Sequence, residues 1–248
     1  MTAPDLSSLA PLLPELLAGR PLAVLTGAGI SAESGLPTFR GPGGLWEGNR
    51  PEDLATPGAF LRDPLQVWRF YEWRRGLVRN ARPNEGHIAL ARMERILPRM
   101  TLITQNVDGL HTAAGSKPVE LHGSLLRVRC TEEGTVALCP EPFEKLPPAC
   151  LSCGALLRPD VVWFGEQLPP AAWSAAEDAA ITSAVFLVVG TSSVVSPAST
   201  LALLAARGGA RLFEINPEAT PLSPLTDGVF QMSASEVLPA VARALAAR

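Results

Sequence analysis

The sequence predicts a Rossmann-like α/β fold, a doubly wound parallel sheet carrying a smaller inserted domain, and three observations carry that reading. Short apolar runs, PLAVLT (21–26), MTLIT (100–104), VFLVVG (185–190) and ARLFEIN (210–216), are bounded by Gly, Asn or Pro punctuation, as strands buried on both faces are. Stretches of helical composition lie between or beside them: ALARMERIL (89–97), the Ala/Leu-rich segment 198–207, and the tail SEVLPAVARALAAR, for which Ser235 is the expected N-cap. Two stretches break the alternation, the Pro/Gly- and aromatic-rich segment 41–80 and the cysteine-bearing segment 123–160. These are expected to form the small domain, a helical module plus a cysteine module, leaving 1–40, 81–122 and 161–248 as the large domain.

Composition bounds the function before it names one. At 248 residues and 47% hydrophobic content the chain can bury a substantial core. A net charge of −3 without a basic run gives no footprint for nucleic acid. The longest strongly apolar stretch, VFLVVG, is far too short to span a bilayer, and the N-terminus has neither a basic start nor a continuous apolar run. No membrane partner is therefore expected, and the location expected is cytoplasmic, for a monomer. Four cysteines, Cys130, Cys139, Cys150 and Cys153, fall within one short segment. Clustered thiols of this kind suit a metal better than a disulfide framework.

The first chemical signal is GAGISAESGLPTFRG (27–41), directly after the first strand. Gly27 and Gly29 allow backbone amides to approach a pyrophosphate where a side chain would block it. Gly35, Pro37, Gly41, Pro42, Gly43 and Gly44 then break the helix that a conventional dehydrogenase would continue into, so the segment reads as a loop folding over a ligand.

GAGISAESGLPTFRG, TQNVDGLH (104–111), ELHG (120–123), VVWFGE (161–166), GTSSVVSPA (190–198) and INPE (215–218) occur in an order that resembles the sirtuin family, NAD-dependent protein lysine deacylases. The resemblance runs from about residue 20 to the C-terminus. It implies that NAD and an acylated lysine of a protein or peptide meet in the cleft between domains. His122, in ELHG, matches the catalytic histidine; an imidazole with an ordinary pKa near 6.5 is suited to act as general base on a ribose hydroxyl. The implied chemistry begins when the acyl oxygen attacks C1′ of the nicotinamide ribose and expels nicotinamide. It ends in O-acyl-ADP-ribose and free lysine. Gln105, Asn106 and Asp108 match the nicotinamide and ribose pocket, with Asn106 and Asp108 also expected to take part in catalysis. Gly27, Ala28, Gly29, Ile30, Phe39, Arg40 and Trp46 match the cofactor loop, and Gly190, Thr191, Ser192, Asn216, Glu218 and Ala234 match positions around the adenosine half. Val161, Val162, Trp163, Phe164 and Gly165 match the segment whose backbone pairs with an extended substrate peptide. His87 and His111 read instead as packing and hydrogen-bonding residues.

The family's zinc module presents two close Cys pairs, the usual logic of a closed tetrahedral structural site. Here Cys150-x-x-Cys153 supplies one pair, but the expected partner of Cys130 is Glu133. Cys139 either completes one structural zinc site by looping back or leaves it with three thiolates or no metal.

FYEWRR (70–75) holds the only tyrosine of the chain. On a helix, Tyr71 and Arg74 fall on one face, and a phenol beside a guanidinium holds a carboxylate well. In this family the helical module after the cofactor loop lines the acyl pocket. Tyr-x-x-Arg there, with Thr38 where many deacetylases carry Asp, is similar to the bacterial-type desuccinylase and demalonylase subgroup. Two other classes stand as alternatives: an ADP-ribosyltransferase using the same NAD activation, and a non-catalytic NAD-binding regulator.

Overall fold

A computed structural model describes Leu9, residues 11–39, Gly44 and residues 50–247. Six strands form one sheet: β1 (Leu22–Thr26), β2 (Met100–Thr104), β3 (Val119–Glu120), β7 (Val185–Val189), β8 (Arg211–Ile215) and β9 (Gly228–Phe230). Their order is β3-β2-β1-β7-β8-β9, and every neighbouring pair is parallel. The remaining strands, β4 (Gly123–Cys130), β5 (Val136–Leu138) and β6 (Leu157–Val161), form an antiparallel sheet in the order β5-β4-β6.

The parallel sheet is covered on both faces, which is why its strands read as continuous apolar runs. Leu22 and Val24 of β1 pack with Leu90, Met93, Phe213 and Val237 under α1 (Leu13–Leu17), α5 (Glu85–Ile96) and α9 (Ala234–Ala246). The alternate residues Ala23 and Leu25 pack with Ala176, Phe186 and Leu201 under α7 (Pro170–Thr182) and α8 (Thr200–Arg207). The strand period of two thus divides one strand between two cores.

Three expectations change at the edges. The cap of α9 is Ser233, not Ser235: Ser233 and Glu236 form a reciprocal capping box, with Ser233 N–H donating to Glu236 Oε2 at 2.8 Å. Helix α5 begins four residues before the predicted segment, because the Asn84 side chain accepts from the N–H groups of Gly86 and His87. Strands β3 and β9 and helix α7 were not anticipated.

A third core joins the inserted segments. It is built from α2 (Pro51–Leu54), α3 (Pro57–Arg62) and α4 (Pro64–Asn80) against β4 and β6, with Phe60, Trp68, Tyr71, Leu125, Val128 and Trp163 at its centre. The prolines open each helix at its first position, where no intrahelical N–H is lost. Thr56 and Asp63 cap α3 and α4 by accepting from Ala59 N–H at 3.0 Å and Gln66 N–H at 2.9 Å. Arg75, fully buried on α4, ties the two inserts together. It pairs with Glu72 at 2.9 Å and donates to the carbonyls of Leu125 (2.5 Å), Cys139 (2.5 Å) and Glu141 (2.8 Å). No helix among the described residues is long and apolar enough to cross a membrane.

Candidate functional site

Strand order reverses between β1 and β7, and a cleft of about 500 Å³ opens at the carboxyl ends of these strands. Such a switch point is where open α/β sheets bind ligands. The loops leaving β1 and β7 interlock there. A Cβ on Gly29 would lie 2.7 Å from Gly190 O, and one on Gly190 (φ 59°) would lie 2.4 Å from Ile30 N. These glycines therefore serve first to let two backbones meet, with Gly29 N–H donating to Gly190 O at 2.7 Å.

Of the expected cofactor residues, Gly27, Ala28, Gly29, Phe39, Gln105, Asn106, Gly190, Thr191, Ser192, Asn216 and Glu218 line this cleft. Asp108 lines a small adjoining pocket beside Asn106 and Arg74. Ile30 and Ala234 do not reach the cleft: both side chains are buried in the core beneath α5 and α9. Arg40 and Trp46 lie outside the described residues.

His122 stands immediately before β4, half-buried on the cleft wall. Its Nδ1 donates to the Gln105 carbonyl at 2.9 Å. That bond fixes the tautomer and leaves Nε2 without a partner among the described residues. Burial lowers the pKa of the ring, outweighing the carbonyl that favours its charged form. Gly123 (φ 78°) follows because any Cβ there would lie 2.1 Å from Asp160 O.

Behind the cleft runs a buried polar network that the sequence did not announce. Ser31 donates to Asp108 Oδ2 at 2.8 Å and accepts from Asn106 Nδ2 at 3.2 Å, while the same amide donates to Gly27 O at 3.1 Å. Asp108 Oδ1 accepts from Leu110 N–H at 2.9 Å, at the start of α6 (Leu110–Ala113). Burial raises the Asp108 pKa, outweighing these bonds and the Arg74 charge. His87 Nε2 lies 3.4 Å from Ser31 Oγ, and His111 Nε2 lies 2.9 Å from Thr26 Oγ1. Burial depresses these two imidazoles to about 4 and about 3, the second also through its neighbour His87. Both are internal supports, as the sequence reading held.

At the other end of the cleft, Tyr71 is buried and its hydroxyl accepts from Trp163 Nε1 at 2.9 Å. Burial raises the Tyr71 pKa despite the nearby Arg74 cation, so the phenol keeps its proton. The half-buried Arg74 guanidinium lies 5.7 Å from the Tyr71 ring centroid and 5.1 Å from that of Phe39. Burial lowers its pKa against the opposing pull of Tyr71 and Asp108, and no carboxylate among the described residues forms an ion pair with it. Val161, Val162, Trp163, Phe164 and Gly165 line the same cleft. The N–H groups of Val162, Trp163 and Phe164 are engaged by His122 O, Glu166 Oε2 and Ala55 O.

Away from the cleft, the sulfurs of Cys130, Cys150 and Cys153 and a carboxylate oxygen of Glu133 lie within 4.8 Å of one another. Three thiols and a carboxylate are a donor set that fits zinc. Cys139, a candidate for the fourth position, is not in this group. Its N–H donates to Leu126 O at 2.8 Å and its carbonyl is held by Arg75, which fixes it against the third core.

Sequence reasoning also missed Ser193, which adopts φ 57° beside the cleft and whose buried Oγ has no hydrogen-bond partner among the described residues. A left-handed non-glycine residue with an orphaned hydroxyl beside a ligand cleft is the kind of group a bound nucleotide satisfies. Its position within GTSSVVSPA was the available signal.

The fold and site define a doubly wound α/β protein with its cleft at the topological switch point, walled on one side by an inserted helical and cysteine module. The model of the Sir2 family matches residues 27–197. The chain is 56% identical over 225 residues to "NAD-dependent protein deacylase 2" of Pyrobaculum aerophilum, covering 90% of each chain. It is 53% identical over 216 residues to "NAD-dependent protein deacylase" of Aquifex aeolicus, covering 86% of this chain and 90% of that one. Among solved structures, a mutant Sir2 homologue in complex with ADP-ribose superposes with a TM-score of 0.92 at 46% identity, covering 95% of this chain and 96% of the other. A complex of Sir2 with p53 peptide and NAD+ superposes with a TM-score of 0.84 at 32% identity, covering 95% and 98%. The chain belongs to the Sir2 family.

Proposed function

We propose that the chain is an NAD-dependent protein lysine deacylase that removes succinyl and malonyl groups, and also acetyl, from lysine side chains, releasing nicotinamide and O-acyl-ADP-ribose. The names of its relatives support the NAD-dependent deacylation. The acidic-acyl preference rests on Tyr71 and Arg74. Division into an NAD-binding domain (1–40, 81–122, 161–248) and a small domain (41–80, 123–160) is part of the same reading.

NAD, when bound, supplies an electrophilic ribose carbon and nicotinamide as the leaving group. The glycine loop after β1, Gln105, Thr191 and Asn216 would hold it, and Ser193 Oγ offers a further polar contact. His122 is neutral near pH 7, so its Nε2 can take a proton from a hydroxyl presented in the cleft while Nδ1–H stays on Gln105 O. Asn106, with its Nδ2 occupied by Gly27 and Ser31, keeps Oδ1 to accept from a ligand. Asp108, braced by Ser31 in the adjoining pocket, would act on the nicotinamide and ribose end. A peptide laid along 161–165 would find the N–H groups of Val162, Trp163 and Phe164 and the carbonyls of Val161 and Trp163 already engaged.

One observation carries the acyl assignment: the cleft that holds His122 ends in a phenol and a guanidinium that lean on one another and both have hydrogens to give. Tyr71 has its oxygen occupied by Trp163 and its proton to give, and Arg74 has no carboxylate among the described residues. A distal carboxylate of succinyl or malonyl lysine satisfies both; a methyl group satisfies neither. Turnover of otherwise identical acetyl, malonyl and succinyl peptides, with and without NAD, tests this reading. Succinyl and malonyl turnover exceeding acetyl, all of it NAD-dependent, is the expected result. Equal or greater acetyl turnover would reject the preference.

A further inference from the structure

The metal-capable cluster is asymmetric in a way that sets which oxygen and which sulfurs can bind. Cys130 ends β4 and begins a tight turn, closed by Gly134 N–H on Cys130 O at 3.1 Å and Cys130 N–H on Thr135 O at 2.9 Å. A second turn carries the other two thiols, closed by Gly154 N–H on Cys150 O at 2.9 Å and Cys150 N–H on Ala155 O at 2.7 Å. Glu133 stands in the first turn, where its N–H points at Cys130 Sγ at 3.4 Å. Its two carboxylate oxygens have different partners. Oε1 accepts from Ser152 Oγ at 2.9 Å, whereas Oε2 lies 3.9 Å from Cys150 Sγ and 3.5 Å from Thr135 Oγ1. The Cys130 and Cys153 sulfurs are 3.5 Å apart.

Two of these separations, 3.5 Å between the Cys130 and Cys153 sulfurs and 3.9 Å between Cys150 Sγ and Oε2, are close to those of donors around one ion. With Zn–S near 2.3 Å and Zn–O near 2.0–2.2 Å, neighbouring donors stand about 3.4–3.8 Å apart. Ser152, between the two cysteines of the second turn, holds Oε1, which leaves Oε2, the oxygen near Cys150 Sγ, to face the thiols.

We propose that this centre is a three-thiolate, one-carboxylate zinc site in which Glu133 Oε2 is the fourth ligand, Ser152 is its positioning residue and Cys139 takes no part. A carboxylate in place of a thiolate leaves the charge of the centre unchanged but makes one corner harder and easier to displace. The zinc is therefore held less tightly than in an otherwise identical four-thiolate site.

The test uses the full chain, loaded with one equivalent of zinc or cobalt(II). The sulfur-to-cobalt charge-transfer absorption of the unaltered protein should correspond to three thiolates, rise by about one third in Glu133→Cys, and be unchanged in Cys139→Ser. Zinc transfer to a chromogenic chelator should be at least about tenfold faster in Glu133→Ala and slower in Glu133→Cys. In Ser152→Ala metal affinity should fall by about 10-fold or more, the scale of losing an outer partner of a ligand. Glu133→Cys guards against the case in which Glu133→Ala fails to fold, because restoring a fourth ligand should restore folding. A charge-transfer band that drops in Cys139→Ser, or that does not rise in Glu133→Cys, would overturn the proposal. So would zinc affinity indifferent to Glu133→Ala.

Discussion

The indole N–H of Trp163 donates to the hydroxyl of Tyr71 at 2.9 Å. Indole nitrogen can only donate, so the phenol oxygen must accept, and the single phenolic hydrogen is left to point elsewhere. Trp163 is itself held firmly. The Arg158 guanidinium lies 3.5 Å from its ring centroid, and Glu166 accepts from Trp163 N–H at 2.8 Å while pairing with both terminal nitrogens of Arg158. Burial works against the Glu166 carboxylate, yet Arg158 and that N–H keep its pKa below the usual range. A charged clamp thus sets an indole, and the indole sets the polarity of a phenol in the cleft.

His122 provides the most direct test of catalysis. His122→Ala should abolish NAD-dependent deacylation while leaving NAD affinity largely intact, because the imidazole moves a proton more than it binds the ground state. Since burial depresses its pKa, the acid limb of kcat/KM should fall below histidine's ordinary value of about 6.5. Activity is lost as pH drops through that limb, when Nε2 becomes protonated. Near-normal turnover in the variant, or an acid limb above the ordinary value, would count against the assignment.

The buried imidazoles His87 and His111 make a separate prediction about stability. Above about pH 6.5 they are neutral in both the folded and unfolded chain and contribute nothing to the pH dependence. As pH falls towards about 4 and about 3, the unfolded chain takes up protons that the folded one refuses. Stability should therefore decline with falling pH, by up to roughly 3 kcal/mol for His87 and roughly 5 kcal/mol for His111 once both values are passed. Asp108, whose pKa is raised, works in the opposite sense at the acid end. Urea midpoints should be nearly level from about pH 7.5 to about 6.5 and decrease from there to about pH 5; a profile flat over the lower range would mean that neither ring is buried neutral.

The parallel strands were legible because burial on both faces forces uninterrupted apolar runs, and the cleft residues were legible because they cluster in short loop motifs. What escaped has local causes. Strands β3 and β9 are two and three residues long, too short for any period to show. The α9 cap was misplaced although the signature was present: Ser233 has Glu236 three residues on, whereas Ser235 has Leu238. Ile30 and Ala234 sit in motifs that reach the cleft, but their side chains turn into the core, which a motif cannot reveal. Glu133 was noted as a substitution for a cysteine. Only the fold of the two turns brings its carboxylate to the thiols while Arg75 holds Cys139 away.

The adjacent arginines of FYEWRR should separate cleanly. Arg75 is fully buried and satisfies three carbonyls and Glu72, so Arg75→Met leaves three carbonyl acceptors without their donor and takes from Glu72 one of its two arginines, Arg79 being the other. A loss of about 3 kcal/mol or more is expected, which at this chain length is a fall in Tm of about 6–12 °C. Any loss of activity should be the same for every acyl group. A variant with unchanged Tm would show that Arg75 is not the tie between the inserted segments.

Arg74, one residue earlier, should show the reverse pattern. A charge-assisted contact with a distal carboxylate in a partly desolvated pocket contributes about 1.5–3 kcal/mol, or about 10- to 150-fold in kcat/KM. Arg74→Met should cut desuccinylation and demalonylation by that order while sparing or improving deacetylation, with little change in Tm. Tyr71→Phe keeps the ring, removes only the hydroxyl, and should give a smaller loss with the same acyl selectivity. If Trp163 acts by directing that hydroxyl, Trp163→Phe should lower the succinyl-to-acetyl ratio on its own. It should add nothing further to that ratio in the Tyr71→Phe background, because the group it orients is already gone. Equal losses on acetyl and succinyl peptides in Arg74→Met and Tyr71→Phe would make the pair structural and the acidic-acyl reading wrong. Additive effects of Trp163→Phe and Tyr71→Phe would leave that reading standing and remove only the directing role of the indole.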